Sequence, residues 1–331
     1  MNRTTTPTAM DLERTEAAGR GVSPRREVDV VVVGGGPSGL AAASWAARYR
    51  RSVVVLDSRD YRNAQVEQSH GYLGRDPQVP ADLLAKGRAE VLAYPTAEIR
   101  FAVATGARRR DDGLFEVGQD LLAHRLVLAQ GVQDSFPAVD GFFEHYGASV
   151  FHCPACDGYE ARDRHVVALG WDPHLVGFAV TLKNWARSVT VVTNGEPFSG
   201  DRAALTEQGI AVLERDAVRL VGERGDLRGL ELDGGRVLQT SLVLFSVAHA
   251  PRVELAVSLG CLLDPEGYVA VDSQGQTSVE GVYAAGDLTP GLQLALVAAA
   301  SGVVAGVGAA QSLFGHAGAP TSPVPAPAVG S

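Results

Sequence analysis

VDVVVVGGGPSGLAAASWAARYRRSVVVLD, residues 28–57, reads as an apolar strand, a glycine turn, an alanine-rich helix and a second apolar strand that ends in an acid. Continuous apolar runs bounded by turn residues are typical of strands buried on both faces. Gly34, Gly36 and Gly39 stand in G-x-G-x-x-G register, and Asp57 lies 23 residues beyond Gly34. At this spacing Gly34 permits a tight turn, Gly36 lets backbone N–H groups approach a pyrophosphate, and Gly39 lets helix and strand pack closely. Pro37 and Ser38 open the helix, whose N-terminus turns the positive end of its dipole toward the phosphates. Asp57 is placed to accept both hydroxyls of a ribose. A lone glycine pattern is weak, and a turn that serves only packing is its bland reading. Held between two buried strands and closed by an acid, it predicts an α/β fold with a dinucleotide site.

The rest of the chain sets the frame. Its 331 residues, 46% apolar and 20% charged, suffice for about two domains. No apolar run reaches the roughly 18 residues of a membrane span, so no membrane partner is expected. A net charge of -9 gives no footprint for nucleic acid. Residues 1–26 lack the apolar core of a secretory signal, and Asp11, Glu13 and Glu16 argue against a transit peptide. They are expected to form a disordered leader on a cytoplasmic protein. Residues 316–331, rich in Pro, Ala and Gly, are expected to form a disordered tail.

The chain has three cysteines, too few for a disulfide framework. Cys153 and Cys156 stand two residues apart in FHCPACDGYE, residues 151–160, and Cys261 is remote. A zinc site needs four ligands, and neither His152 nor His165 supplies a second ligand pair, so no metal is expected. By spacing alone the pair is a redox dithiol or two inert buried thiols.

Two distant segments carry a resemblance. TSVEGVYAAGDL, residues 277–288, resembles the Gly-Asp segment of two-dinucleotide-binding flavoproteins, and HRLVLAQGV, residues 124–132, resembles their Ala-Thr-Gly turn, with Gln130 in place of Thr and Gly131 following. The resemblance implies FAD, with Gly286 and Asp287 near its ribityl and pyrophosphate region. It also implies a small-residue helix within residues 292–315 whose start faces the isoalloxazine. Gln293 lies near that start, an exposed cap being its other reading. CPACDGYE resembles the C-A-T-C-D-G signature of low-molecular-weight thioredoxin reductases. By that resemblance Cys156 faces the flavin, Cys153 exchanges with the substrate disulfide and Asp157 moves protons. The implied architecture is α/β, with two doubly wound dinucleotide-binding-type domains. One is a discontinuous FAD-binding domain of residues 27–145 and 253–315, and the other, residues 146–252, carries the dithiol. A homodimer and a thioredoxin-like protein or small dithiol/disulfide substrate follow from the same resemblance.

Two departures modify it. RHVVALGWDPHLVGFAVTLKNWARSVTVVTNGEPF, residues 164–198, has strand, helix, strand periodicity where a nicotinamide cofactor belongs. Its turn keeps Gly170 alone, Trp171 and Pro173 crowd it, and the second strand ends without an acid or an Arg cluster. Arg202 is the nearest candidate for a 2'-phosphate, with a solvated loop charge as its plain reading. NADPH use is therefore doubtful. Residues 57–84 resemble a subgroup that includes the dithiol oxidases of disulfide natural products, which often have His where this chain has Asp157. Pyridine-nucleotide-independent, ferredoxin-linked thioredoxin reductases also lack the glycine turn. His70 is either a base or substrate contact near the flavin, or structural. The expectation is an FAD-dependent thiol/disulfide oxidoreductase whose second redox couple is ferredoxin or oxygen. The alternatives are an ordinary NADPH-dependent thioredoxin reductase and a non-catalytic flavin-binding sensor.

Overall fold

A computed structural model describes residues 25–246 and 248–315. The tail expected at 316–331 and nearly all of the expected leader lie outside them. Arg26, assigned to the leader by its charge, is instead the first residue of β1 (Arg26–Val33), in register with Leu121, and the Arg25 guanidinium pairs with Glu116. A cation can end a buried strand when a carboxylate meets it there, which composition does not reveal.

After β1 come α1 (Pro37–Arg48), β2 (Val53–Leu56), α2 (Pro80–Leu92) and β3 (Ala97–Arg100), and the three strands run parallel. An antiparallel meander of β4 (Ala107–Arg109), β5 (Phe115–Val117) and β6 (Leu121–Leu128) then sets β6 parallel against β1, giving the order β3-β2-β1-β6-β5-β4. All four β2 residues are buried, each removal of such a side chain from water stabilising the fold by roughly 1.5–3 kcal/mol.

β7 (Val132–Asp134) and α3 (Phe142–His145) lead to a second parallel sheet. It contains β8 (Val150–Phe151), followed by α4 (Pro154–Asp157), then β9 (His165–Gly170), α5 (Leu175–Leu182), β10 (Ser188–Val192), α6 (Arg202–Glu207) and β11 (Ala211–Leu213). A three-stranded antiparallel sheet of β12 (Ala217–Glu223), β13 (Asp226–Leu232) and β14 (Val237–Gln239) packs on it, and β15 (Val243–Ser246) completes the order β11-β10-β9-β15-β8. Phe136, Val139 and Phe142 pack with Val150, Val167 and Phe245 in the core of this second unit. The boundary expected at 145/146 therefore falls inside that cluster. Aromatic residues ahead of the cysteines join whichever core is nearest, and a sequence pattern does not say which.

β16 (His249–Pro251) pairs antiparallel with β7, and the chain re-enters the first unit through α7 (Glu254–Ser258) and β17 (Val282–Ala284), which extends the first sheet beside β6. α8 (Ala295–Gln311) closes the chain against α1. A Cβ on Gly302 would sit 2.0 Å from Ser38 O, and one on Gly306 2.4 Å from Ala42 O. The small-residue helix thus lets two backbones touch directly over the dinucleotide turn. Among the described residues no helix is long and apolar enough to cross a membrane.

Candidate active site

The 34–39 turn separates the glycines by what each hydrogen permits. Gly34 has φ +116°, and a Cβ there would lie 2.2 Å from Ala129 O. A Cβ on Gly35 would meet the Asp57 carboxyl at 2.1 Å, and one on Gly39 would meet Gly34 O at 1.8 Å. Only at Gly36, the N-cap of α1, does a Cβ meet nothing within 4 Å. Gly36 lines an open cleft of about 450 Å³ with Pro37 and Ser38, so its missing side chain leaves room for a ligand rather than for protein. Gly286 (φ +78°) abuts the same turn, its absent Cβ 2.5 Å from Ser38 Oγ, and Gly131 (φ +67°) bounds the cleft from the end of β6.

This contrast predicts unequal glycine substitutions. Gly36→Ala should fold with an unchanged apoprotein melting temperature yet retain at least about tenfold less FAD, whereas Gly39→Ala should lose about 1–3 kcal/mol or more to overpacking. Thermal melts and flavin content per chain measure both. Normal FAD content in folded Gly36→Ala would sink the assignment of the turn.

Asp57 is buried at the end of β2. Its Oδ1 accepts from Arg59 N (2.8 Å) and its Oδ2 from Tyr61 Oη (2.6 Å), so it retains only part of its acceptor capacity for a ribose. Burial, with the carboxylate adding to it, pushes the Tyr61 phenol up to about 12. Deeper in the cleft, Arg62 donates to both Asp134 oxygens (2.7 Å each), to Asp287 Oδ2 (3.1 Å) and to Gln293 Oε1 (2.7 Å). Burial raises the Asp287 carboxyl, and Arg62 opposes that. The Gln293 amide also donates to Tyr268 Oη (3.1 Å), so Gln293 is held in a network and is not an exposed cap; the N-cap of α8 is Leu294. Gln130 Oε1 is buried without a hydrogen-bond partner. An orphaned acceptor lining the cleft that the open glycine turn also lines fits a ligand with hydrogen-bond donors, as FAD has. Arg62 and Tyr61 escape the sequence reading because isolated polar residues in a long loop have no periodicity to mark them.

Cys153 and Cys156 are joined as a disulfide, Cα atoms 5.2 Å apart, and both line the same cleft with His152 and Asp157. Pro154 opens α4 at its first position, and Cys153 is the N-cap whose sulfur accepts from Cys156 N at 3.2 Å. Cys261 is buried in the core of the first unit. His152, whose Nδ1 is 3.1 Å from Tyr146 Oη, is pushed down to about 4 by burial and by Arg62. It is neutral at physiological pH. Asp157 is 8% exposed, and its carboxyl is raised to about 7, mainly by burial and further by Glu160, with His70 opposing. Among the described residues no three His, Cys, Asp or Glu side chains are grouped to hold a metal.

Asp157 therefore burdens the fold. An unfolded aspartate releases its proton near pH 4, the native one near 7, so the native chain binds more protons between them and stability falls as pH rises through that window. Asp157→Asn should exceed the wild type by about 2–4 kcal/mol at pH 8, with a much smaller gap at pH 4.5. Urea midpoints at the two pH values test this, and a gap that does not widen would refute it.

The second strand-helix crossing differs. A Cβ on Gly170 would lie 2.2 Å from Ser246 O, and Asp172 accepts from His174 N (2.6 Å) and Ser246 Oγ (2.5 Å). A carboxylate thus occupies the turn between β9 and α5. The adjoining hollow, about 90 Å³, is lined by Trp171, Pro173 and Phe198. Arg202 is paired with Glu214 at 2.7 Å.

Comparison with known proteins agrees with this architecture. Residues 28–302 match the family described as pyridine nucleotide-disulphide oxidoreductase. The chain is 33% identical to thioredoxin reductase tcpT of Claviceps purpurea, over 87% of this chain and 94% of that protein. Among solved structures it is similar to HlmI (TM-score 0.81, 34% identity, 87% of this chain and 92% of that one) and to an oxidoreductase from Agrobacterium tumefaciens (TM-score 0.77, 30% identity, 87% and 99%). With its glycine turn, its cleft and a Cys-x-x-Cys lining that cleft, this chain belongs to the pyridine nucleotide-disulphide oxidoreductase family, as a thioredoxin reductase-like, FAD-dependent enzyme.

Proposed function

We propose that the protein transfers two electrons between a thiol/disulfide substrate and FAD through Cys153 and Cys156, without an ordinary NADPH site. The observation that carries this is one cleft lined both by the open Gly36 turn and by the Cys153–Cys156 disulfide. Gly34, Gly36, Pro37, Ser38, Gly39 and Asp57 would hold the adenosine and pyrophosphate side of FAD, and Gly131, Gly286, Asp287 and Gln293 the remainder. Bound FAD supplies a two-electron acceptor or donor for the dithiol. In the oxidising direction a substrate thiolate attacks Cys153 Sγ, and the S–S bond breaks. Cys156 Sγ leaves with its electron pair and takes the proton of Asp157. The second substrate thiolate then attacks the mixed disulfide and frees Cys153, so the substrate is oxidised and the protein dithiol reduced by two electrons. The reverse sequence reduces a substrate disulfide.

The closed turn at Gly170, the carboxylate of Asp172 and the pairing of Arg202 with Glu214 support ferredoxin or oxygen, rather than a nicotinamide, as the second redox partner. The substrate is a small dithiol/disulfide or a thioredoxin-like protein. Residues 27 to about 135 with 253–315 form the FAD-binding domain in this reading, and residues from about 136 to 252 the second. A cytoplasmic homodimer belongs to the same proposal, supported by a cysteine economy suited to a reducing compartment. The test is anaerobic mixing of the FAD-loaded protein with dithiothreitol, reduced ferredoxin and NADPH in parallel. Prompt bleaching by dithiothreitol is expected, and none by any of the three would leave a flavin-binding sensor.

A further inference from the structure

His70 lies on the loop between β2 and α2, on the first unit, yet it faces the dithiol helix of the second. Its Nδ1 is 2.9 Å from Asp76 Oδ1, whose other oxygen accepts from Gly71 N, and its Nε2 is 3.7 Å from Glu160 Oε1. Glu160 follows α4 within one turn, and its Oε2 is buried with no hydrogen-bond partner. His70, Cys153, Cys156 and Asp157 line one cavity. The chain Asp76, His70, Glu160, Asp157 therefore crosses between the units and ends beside the disulfide.

We propose that His70 is a positioning residue for thiol/disulfide exchange: anchored by Asp76 and opposed by Glu160, its charge sets how readily Asp157 gives its proton to the departing Cys156 sulfur. This rests on the exchange chemistry proposed above. The signs follow from Coulomb's law in a partly desolvated site. A cation near Asp157 favours its carboxylate and an anion favours its acid, which are the directions in which His70 and Glu160 act on it. Tyr146 is itself raised in part by Asp157 and carries no charge to compete. Asp76 is exposed and meets His70. Without a cation nearby, burial and Glu160 would hold the proton on Asp157 more tightly. A charged His70 imidazole beside Glu160 opposes both and eases release of the proton.

The experiment uses the full-length, FAD-loaded protein in its disulfide form. Under anaerobic conditions, with dithiothreitol in excess so that the flavin is filled as well, reduction of the Cys153–Cys156 bond is quenched with N-ethylmaleimide and counted by mass spectrometry from pH 5.5 to 9, and the rate is divided by the dithiothreitol thiolate fraction. The wild-type profile is expected to fall through an inflection near pH 7, where Asp157 loses its proton. His70→Gln should move that inflection up by about half a unit or more, Glu160→Gln should move it down, and Asp157→Asn should give a slow, flat profile. His70→Arg, a permanent cation, should restore the inflection to the wild-type pH or below. A merely structural His70 would scale the rate equally at every pH and leave the inflection in place. That outcome, with Asp157→Asn flat, would overturn the role of His70 alone. An Asp157→Asn profile that kept the inflection, or a disulfide that dithiothreitol does not reduce, would instead overturn the exchange chemistry beneath it. Should His70→Gln fail to fold, His70→Arg and Glu160→Gln carry the test, and an unmoved inflection in both is the refuting result.

Discussion

Serine in place of either Cys153 or Cys156 is expected to lower dithiol oxidation by about a thousandfold or more, while the two variants differ sharply in what they trap. Exchange needs two sulfurs, one to accept the substrate and one to leave, so removing either interrupts the sequence rather than slowing one step of it. The two positions are not equivalent. Cys153 caps α4 and accepts from the Cys156 backbone N–H, a contact that also stabilises a thiolate there and makes it the better partner for an incoming disulfide. Cys156→Ser protein treated with an aromatic disulfide should therefore accumulate a stable mixed disulfide at Cys153. Cys153→Ser should label far more slowly at Cys156. Mass spectrometry of the trapped species decides the order, and equal trapping at both positions would remove the assigned roles.

The second large effect concerns nicotinamide. A nucleotide site of the usual kind offers backbone N–H groups to a pyrophosphate and basic side chains to a 2'-phosphate, each charge-assisted contact contributing about 1.5–3 kcal/mol. Here the Gly170 turn is packed against Ser246, Asp172 places a carboxylate where an anion would come, and Arg202 is engaged by Glu214. Loss of about three such contacts weakens binding by roughly three or more powers of ten, enough to move a micromolar ligand past millimolar. Equilibrium dialysis of the FAD-loaded protein should find no NADPH bound at 100-fold below millimolar concentrations, and anaerobic NADPH should bleach the flavin slowly or not at all. Saturable micromolar binding would make this an ordinary NADPH-dependent reductase.

Much of this molecule was written in short-range pattern. The apolar run 28–33, the glycine spacing and Asp57 determined β1, the turn, α1 and β2, because strand and helix periods and the need for missing Cβ atoms are local properties. Gly34 and Gly39 fill the steric roles their positions implied, and in the 34–39 turn only Gly36 has room for a Cβ. Cys153 and Cys156 were legible as a pair, and the turn at Gly170 as one that departs from the dinucleotide pattern.

Only the tertiary structure decided which residues share the cleft. Arg62 links Asp134, Asp287 and Gln293 across 231 positions of sequence, and nothing local distinguishes it from the arginines around it. Phe136 and Phe142 joined the second core rather than the first, and Arg26 proved to belong to a strand. His70 and Glu160 meet only because two separately folded sheets bring a loop and a helix together. The physical reason is one of range: backbone preference and hydrophobic period act over a few residues and can be read along the chain. Electrostatic pairing and desolvation act between neighbours in space, so the proton affinity of Asp157 exists only once the chain around it has packed.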